Sequence, residues 1–137
     1  MGGAEVTRSS PGGRDAVRVL LIEDDRSVAQ MYKLKLELDG YRVDVAFDGE
    51  MALEMVRREL PDIIFLDIRL PKLDGVGVLQ ALRSDPATKH VRVVILSNYS
   101  LRELGDRVAK LGVLDHLIKA ETTPAKLTEG LERWLKS

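Results

Sequence analysis

The chain contains no cysteine, and that single absence excludes disulfide scaffolds, thiolate metal sites and thiol nucleophiles together. It also has almost no net charge. Its 21 basic and 22 acidic residues leave −1 and are interspersed, so nothing electrostatic favours nucleic acid or an anionic membrane as a direct partner. No apolar run approaches the roughly 18 residues of a membrane-spanning helix, and the first residues lack a hydrophobic signal region, so the expected location is the cytoplasm. What remains is 137 residues, 45% of them hydrophobic, which is enough to bury one core and leaves little room for a second domain.

Residues 1–16 are small and polar without hydrophobic periodicity, and read as a flexible leader ahead of a folded domain over 17–137. From Val17 the pattern alternates between strand and helix candidates five times. Asp48 is placed to cap a second helix carrying Ala52, Met55 and Val56 on one face. A third helix follows Asp74-Gly75 and runs to about Arg83. A fourth opens on the capping box Ser100-Leu101-Arg102-Glu103 and stops at Gly112. A fifth has Thr123 as cap, Pro124 at its first position and Leu127, Leu131, Trp134 and Leu135 as its buried stripe. The segment before these is ambiguous. Residues 33–38 alternate strictly, and with Asp39-Gly40 and Tyr41–Val45 they match a β-hairpin. Yet Lys, Leu and Glu are good helix formers and poor strand formers, and Gly40 suits a helix C-terminus. Parallel strands need helical crossovers, which favours a first helix.

Four short apolar runs each end in a polar group. Arg18–Ile22 leads into Glu23-Asp24, Asp62–Leu66 into Asp67, Val93–Leu96 into Ser97, and Val113–Ile118 into Lys119. Runs of this kind read as buried strands, and open α/β sheets place ligand sites at the C-terminal ends of their strands. Singly, each residue has an ordinary explanation. Asp24 or Asp25 caps the first helix, Asp67 is a turn residue, Ser97 begins an Asn-Tyr turn, and Lys119 is solvated surface. Chance placement seldom ends four runs with acid pair, acid, hydroxyl and ammonium in that order. Their convergence describes a divalent-metal-dependent phosphoryl-acceptor site.

The stretches Val19–Asp25, Ile63–Gly75, Ile95-Leu96-Ser97 and His116-Leu117-Ile118-Lys119 resemble a response-regulator receiver domain of two-component signalling, of the stand-alone chemotaxis-regulator type. Asp48-Gly49-Glu50-Met51-Ala52-Leu53 is similar to that family's second-helix opening, and the resemblance covers about Val17 to Ser137. It implies a flavodoxin-like (βα)5 three-layer sandwich with a five-stranded parallel sheet in the order 2-1-3-4-5. It also implies roles. Asp67 is the phospho-acceptor, Asp24 a direct Mg²⁺ ligand and Glu23 a ligand through water, with the backbone carbonyl of Arg69 a further ligand. Ser97 is the switch hydroxyl, Lys119 contacts the phosphoryl group, and His116 stands at the switch-aromatic position.

The implied donor is a histidine kinase or phosphotransfer protein. The implied output is an unidentified protein reading the face made by the fourth helix, fifth strand and fifth helix, with the chain a monomer or weak dimer. No enzymatic activity is implied beyond Mg²⁺-assisted self-phosphorylation and autodephosphorylation. These roles make physical sense. Crowded carboxylates raise each other's pKa unless a cation intervenes, and Mg²⁺ takes oxygen ligands from carboxylates and phosphate. A loose phosphoryl-transfer transition state needs mainly positioning and charge neutralisation.

Three positions depart from the family's pattern. His116 replaces a usual Tyr or Phe, so a weakened or pH-responsive switch is expected. Ala120 replaces a usual proline with a cis bond, which leaves the isomer of the Lys119–Ala120 peptide open. Asn98 stands where a small residue is usual, which would narrow access to the phosphoryl group. A non-phosphorylated pseudo-receiver acting as a constitutive interaction module is the alternative function, against which the intact set of five residues argues. A dehalogenase-type phosphatase would want an acid where Arg69 stands. Gly75-Val76-Gly77 lacks the third glycine of a dinucleotide fingerprint, since position 80 is Gln, and there is no phosphate-binding Gly-x-x-x-x-Gly-Lys loop. These 137 residues leave no room for an effector domain, so a stand-alone receiver and a piece of a longer regulator both stay open.

Overall fold

The alternation of residue type along each apolar run sorts the core into two layers on opposite faces of one sheet, because successive strand side chains point to opposite sides. A computed structural model describes residues 16–99 and 105–137, so the expected capping box Ser100–Glu103 lies outside the described residues. The chain runs β1 (Arg18–Ile22), α1 (Arg26–Leu38), β2 (Arg42–Ala46), α2 (Gly49–Arg58), β3 (Ile63–Leu66), α3 (Gly75–Ser84), β4 (Arg92–Ser97), α4 (Asp106–Lys110), β5 (Asp115–Ile118) and α5 (Pro124–Leu135), with one 3-10 turn at Lys119–Glu121. All four pairings are parallel and the order is β2-β1-β3-β4-β5, as the family resemblance implied.

On one face Leu20, Ile22, Ile64, Leu66, Val93 and Ile95 pack beneath α2, α3 and α4. On the other, Val19, Leu21, Phe65, Val94 and Leu96 pack beneath α1 and α5, with Trp134 edge-on to Phe65 at 5.7 Å between ring centroids. Strands covered on both faces read as unbroken apolar runs, which is why they stood out in the sequence. Several strand boundaries differ from expectation. β3 begins at Ile63 and not at Asp62, β4 runs from Arg92 and includes Ser97 as its last residue, and β5 begins at Asp115, because Val113 and Leu114 still belong to the connection after α4.

The ambiguous segment is helical. Asp25 caps α1, its side chain accepting from the N–H groups of Ser27 (2.9 Å) and Val28 (3.1 Å). The strict alternation has a cause in the helix itself. Ala29, Tyr32 and Leu36 are buried, while Met31, Leu34 and Leu38 lie exposed on the opposite side. A helix apolar on two faces places leucines at 34, 36 and 38 and so imitates the period of a strand.

Arg83 at the end of α3 was not singled out by any sequence signal. Its guanidinium donates to four carbonyls, those of Leu111 (2.6 Å), Val91 (2.8 Å), Gly112 (2.9 Å) and Lys89 (3.1 Å), and burial holds its pKa below the usual value. It fastens the end of α4 to the α3–β4 connection. Arg83→Met leaves those carbonyls without their donor, two of them part-buried, and is expected to lower unfolding free energy by about 2 kcal/mol in denaturant titration.

Candidate acidic metal site and phosphoryl-acceptor cavity

Parallel order 2-1-3-4-5 puts the ends of β1, β3, β4 and β5 beside one another. The residues that follow or end those strands therefore surround one open cavity of about 390 Å³, lined among others by Glu23, Asp24, Asp67, Ser97 and Lys119. Glu23 and Asp67 are buried, Asp24 is exposed, and one oxygen from each of the three lies within 4.8 Å of the others. Such a group of hard oxygen donors beside open, solvent-reachable space suits Mg²⁺, which takes carboxylate oxygens and keeps several waters. Arg69 is on the cavity wall, its N–H donating to Asp67 Oδ1 (3.3 Å) and its guanidinium 5.5 Å from the Tyr99 ring.

Lys119 does more than face Asp67. Its Nζ lies 2.6 Å from Asp67 Oδ2 and 2.7 Å from Glu23 Oε1, so one ammonium stands between two buried carboxylates. The cation that relieves their crowding is therefore part of the chain. The second oxygen of Glu23 accepts from the Asp25 N–H at 2.9 Å. Burial pushes the Glu23 carboxyl above its ordinary range, opposed by Lys119 and the Asp25 N–H. Burial works against the charged form of Lys119 as well, yet the hydrogen bonds and charges of Asp67 and Glu23 outweigh it and raise its pKa. Lys119 is accordingly an ammonium throughout the neutral range.

The turn after β3 is set by a glycine. A Cβ on Gly75 would lie 2.3 Å from the Asp67 carbonyl oxygen, so the start of α3 can approach Asp67 only without a side chain at 75. Gly75 N–H donates to the Ile68 carbonyl at 2.8 Å and closes the turn.

Ser97 is fully buried, and its Oγ accepts from the Tyr99 N–H at 3.2 Å, which leaves the hydroxyl proton free to be donated. His116 is half-buried on β5 and does not line the cavity. Its Nε2 is 2.6 Å from the Tyr99 carbonyl oxygen, while Nδ1 is buried and has no hydrogen-bond partner among the described residues. No cis peptide occurs among the described residues, so the Lys119–Ala120 bond is trans and the 3-10 turn carries the loop onward. A further tie was not legible in the sequence: Tyr32 on α1 donates its hydroxyl to the Thr122 carbonyl (2.6 Å), securing the loop that follows Lys119. Tyrosine at a buried helical position carries no sequence signal that separates it from plain core.

Comparison with known proteins identifies the family. Residues 19–132 match the family model of the response regulator receiver domain. The response regulator PleD of Caulobacter vibrioides is 39% identical over 106 residues, covering 76% of this chain and 23% of PleD. Among solved structures, the chemotaxis response regulator CheY4 of Vibrio cholerae superposes with a TM-score of 0.79 at 27% identity, covering 87% of this chain and 98% of that one. The receiver domain of the sensor histidine kinase PA1611 from Pseudomonas aeruginosa PAO1, which holds a magnesium ion in its active-site cleft, gives a TM-score of 0.78 at 31% identity, covering 89% and 99%. The chain belongs to the response-regulator receiver-domain family, a signalling module of two-component systems. It spans about a quarter to a half of the length of the curated relatives it matches. No helix among the described residues is long and apolar enough to cross a membrane.

Proposed function

We propose that the chain is a phosphorylation-gated signalling module that accepts a phosphoryl group on Asp67 from a histidine kinase or phosphotransfer protein in the cytoplasm and signals through the surface formed by α4, β5 and α5. The observation that carries this reading is the ammonium of Lys119 held at 2.6 Å from Asp67 at the mouth of a three-carboxylate cavity. Asp67 presents the attacking carboxylate oxygen, and Lys119 holds that carboxylate in place and faces the incoming phosphoryl oxygens. Asp24, exposed at the rim, and Asp67 are the carboxylates that would hold Mg²⁺ directly, with Glu23 acting through water and the Arg69 carbonyl completing the protein ligands. When bound, Mg²⁺ supplies charge neutralisation between the anionic carboxylates and the anionic donor.

Once phosphorylated, Asp67 carries three strong acceptor oxygens, and Ser97 has a free proton to give one of them. Drawing Ser97 inward displaces the Asn98-Tyr99 segment attached to it, and that segment leads to α4. Self-phosphorylation from a small donor and slow hydrolysis of the acyl phosphate are the only chemistry this requires. Incubation with acetyl phosphate and Mg²⁺, followed by intact-mass measurement, should show one added phosphoryl group, and none when the metal is chelated. A protein that stays unmodified under both conditions is instead a constitutive binding module.

Ser97→Ala should remain phosphorylatable and lose the coupling. Phosphorylation of wild type should change amide exchange over residues 105–112, and the same treatment of Ser97→Ala should leave that exchange as it was. Equal changes in the two proteins would assign the switch to another group.

A further inference from the structure

Two of the positions that depart from the receiver pattern meet each other. Asn98, one residue beyond Ser97, accepts through Oδ1 a hydrogen bond of 3.0 Å from the backbone N–H of Ala120, one residue beyond Lys119. A proline at 120 would have no N–H to give, and a small residue at 98 would have no side-chain carbonyl to receive it. The bond therefore exists only because both positions differ together. Ser97 and Ile118 are register partners at the ends of β4 and β5, so this contact ties the two strands together just beyond their last backbone pair. The third departure closes the same seam from below, with His116 Nε2 at 2.6 Å from the Tyr99 carbonyl.

We propose that Asn98 is a positioning residue for phosphoryl transfer, its side-chain carbonyl fastening the Ser97 segment to the turn that carries Lys119. This rests on the functional reading above, in which Ser97 and Lys119 both contact the phosphoryl group. Without a proline to stiffen it, the turn at Lys119–Glu121 is held by Thr122 Oγ1 donating to the Ile118 carbonyl (2.8 Å), by Tyr32 through the Thr122 carbonyl, and by Asn98 through Ala120. Thr122 spans the turn back to Ile118, and Tyr32 holds its far end. Asn98 alone of the three reaches the residue that follows Lys119, and it does so from the segment that carries the switch hydroxyl. Lys119 and Ser97 are thus delivered to the cavity as one unit. The segment that moves when Ser97 is drawn inward is the same segment that keeps the ammonium over Asp67.

Asn98→Ala removes the acceptor and adds no bulk. Transfer from acetyl phosphate at saturating Mg²⁺ should slow about fivefold, the scale of one neutral hydrogen bond, while the melting temperature stays near that of wild type. The Ala120 amide should exchange slowly in wild type and in Asn98→Asp, which keeps an acceptor oxygen, and fast in Asn98→Ala. The loss must run through Lys119, so Asn98→Ala should cost nothing further in a Lys119→Ala background. A wild-type rate in Asn98→Ala, or a second fivefold loss on top of Lys119→Ala, overturns the proposal. If the wild-type protein takes no phosphoryl group at all, the functional reading has failed, and the positioning claim is decided by NMR relaxation of the Lys119 ammonium in the unmodified protein. Greater mobility in Asn98→Ala sustains it, and unchanged mobility ends it.

Discussion

Asp67→Asn takes up no phosphoryl group from acetyl phosphate under conditions in which the wild-type protein takes up one, and its intact mass stays that of the unmodified chain. The substitution preserves shape. The amide oxygen can still accept from Lys119 Nζ, the shorter of the two hydrogen bonds that hold the carboxylate, and only the longer one from the Arg69 N–H is given up, so the loss reflects chemistry and not unfolding. What disappears is the anionic nucleophile, since a neutral amide oxygen does not form a stable acyl phosphate. The melting temperature of Asp67→Asn should stay close to that of wild type, because Lys119 keeps its ion pair with Glu23. Labelling of the variant at the wild-type level would place the acceptor on another residue and dissolve the functional reading with it.

The fold was legible in the sequence wherever burial on both faces left an unbroken apolar run, as in Ile63–Leu66 and Val93–Leu96. It was legible too where a cap announced a helix, since Asp48 and Thr123 each accept from a first-turn backbone N–H, while the choice of Asp25 over Asp24 and the cap at Asp74 came only with the structure. It was ambiguous at 33–38, where an exposed leucine stripe lies opposite the buried one and local periodicity points to a strand. Tertiary context resolves that, since α1 must carry the chain from β1 back to the parallel β2. At the site, the polar groups ending four runs were legible because strand order brings run ends together. The pairing of Lys119 with Glu23 was not, for two reasons. An ammonium on a long flexible stem can reach several partners, and its choice depends on how deeply each carboxylate is buried. Arg83 and Tyr32 were hidden for a related reason, because each satisfies backbone carbonyls, and carbonyls have no residue identity to read.

Lys119→Met carries the second large effect, on stability as much as on transfer. In the folded chain the side chains of Glu23 and Asp67 are only 2% and 7% exposed, and the ammonium between them is their shared countercharge. Removing it leaves two carboxylates in one poorly solvated place, a change that costs roughly 3–5 kcal/mol when a buried ion pair is broken on one side. The pH dependence follows from the direction of each shift. Lys119 has a raised pKa, so its stabilisation is complete below its ordinary 10.5 and is lost only as the pH climbs through the higher folded value. Glu23 also has a raised pKa. Its contribution is present below its ordinary 4.5 and is lost as the pH rises through the folded value, and the loss deepens once Lys119 no longer opposes it. Lys119→Met should therefore approach wild-type stability in acid and fall progressively behind as Glu23 ionises. Adding Glu23→Gln to it should return much of the loss at neutral pH, and so should Mg²⁺, which at a hundred times its dissociation constant contributes about 2.7 kcal/mol to a state that binds it. Thermal melts of the single and double variants across the acid-to-neutral range, with and without the metal, read all three effects. A deficit that is the same at every pH would mean that Lys119 matters for its packing and not for its charge.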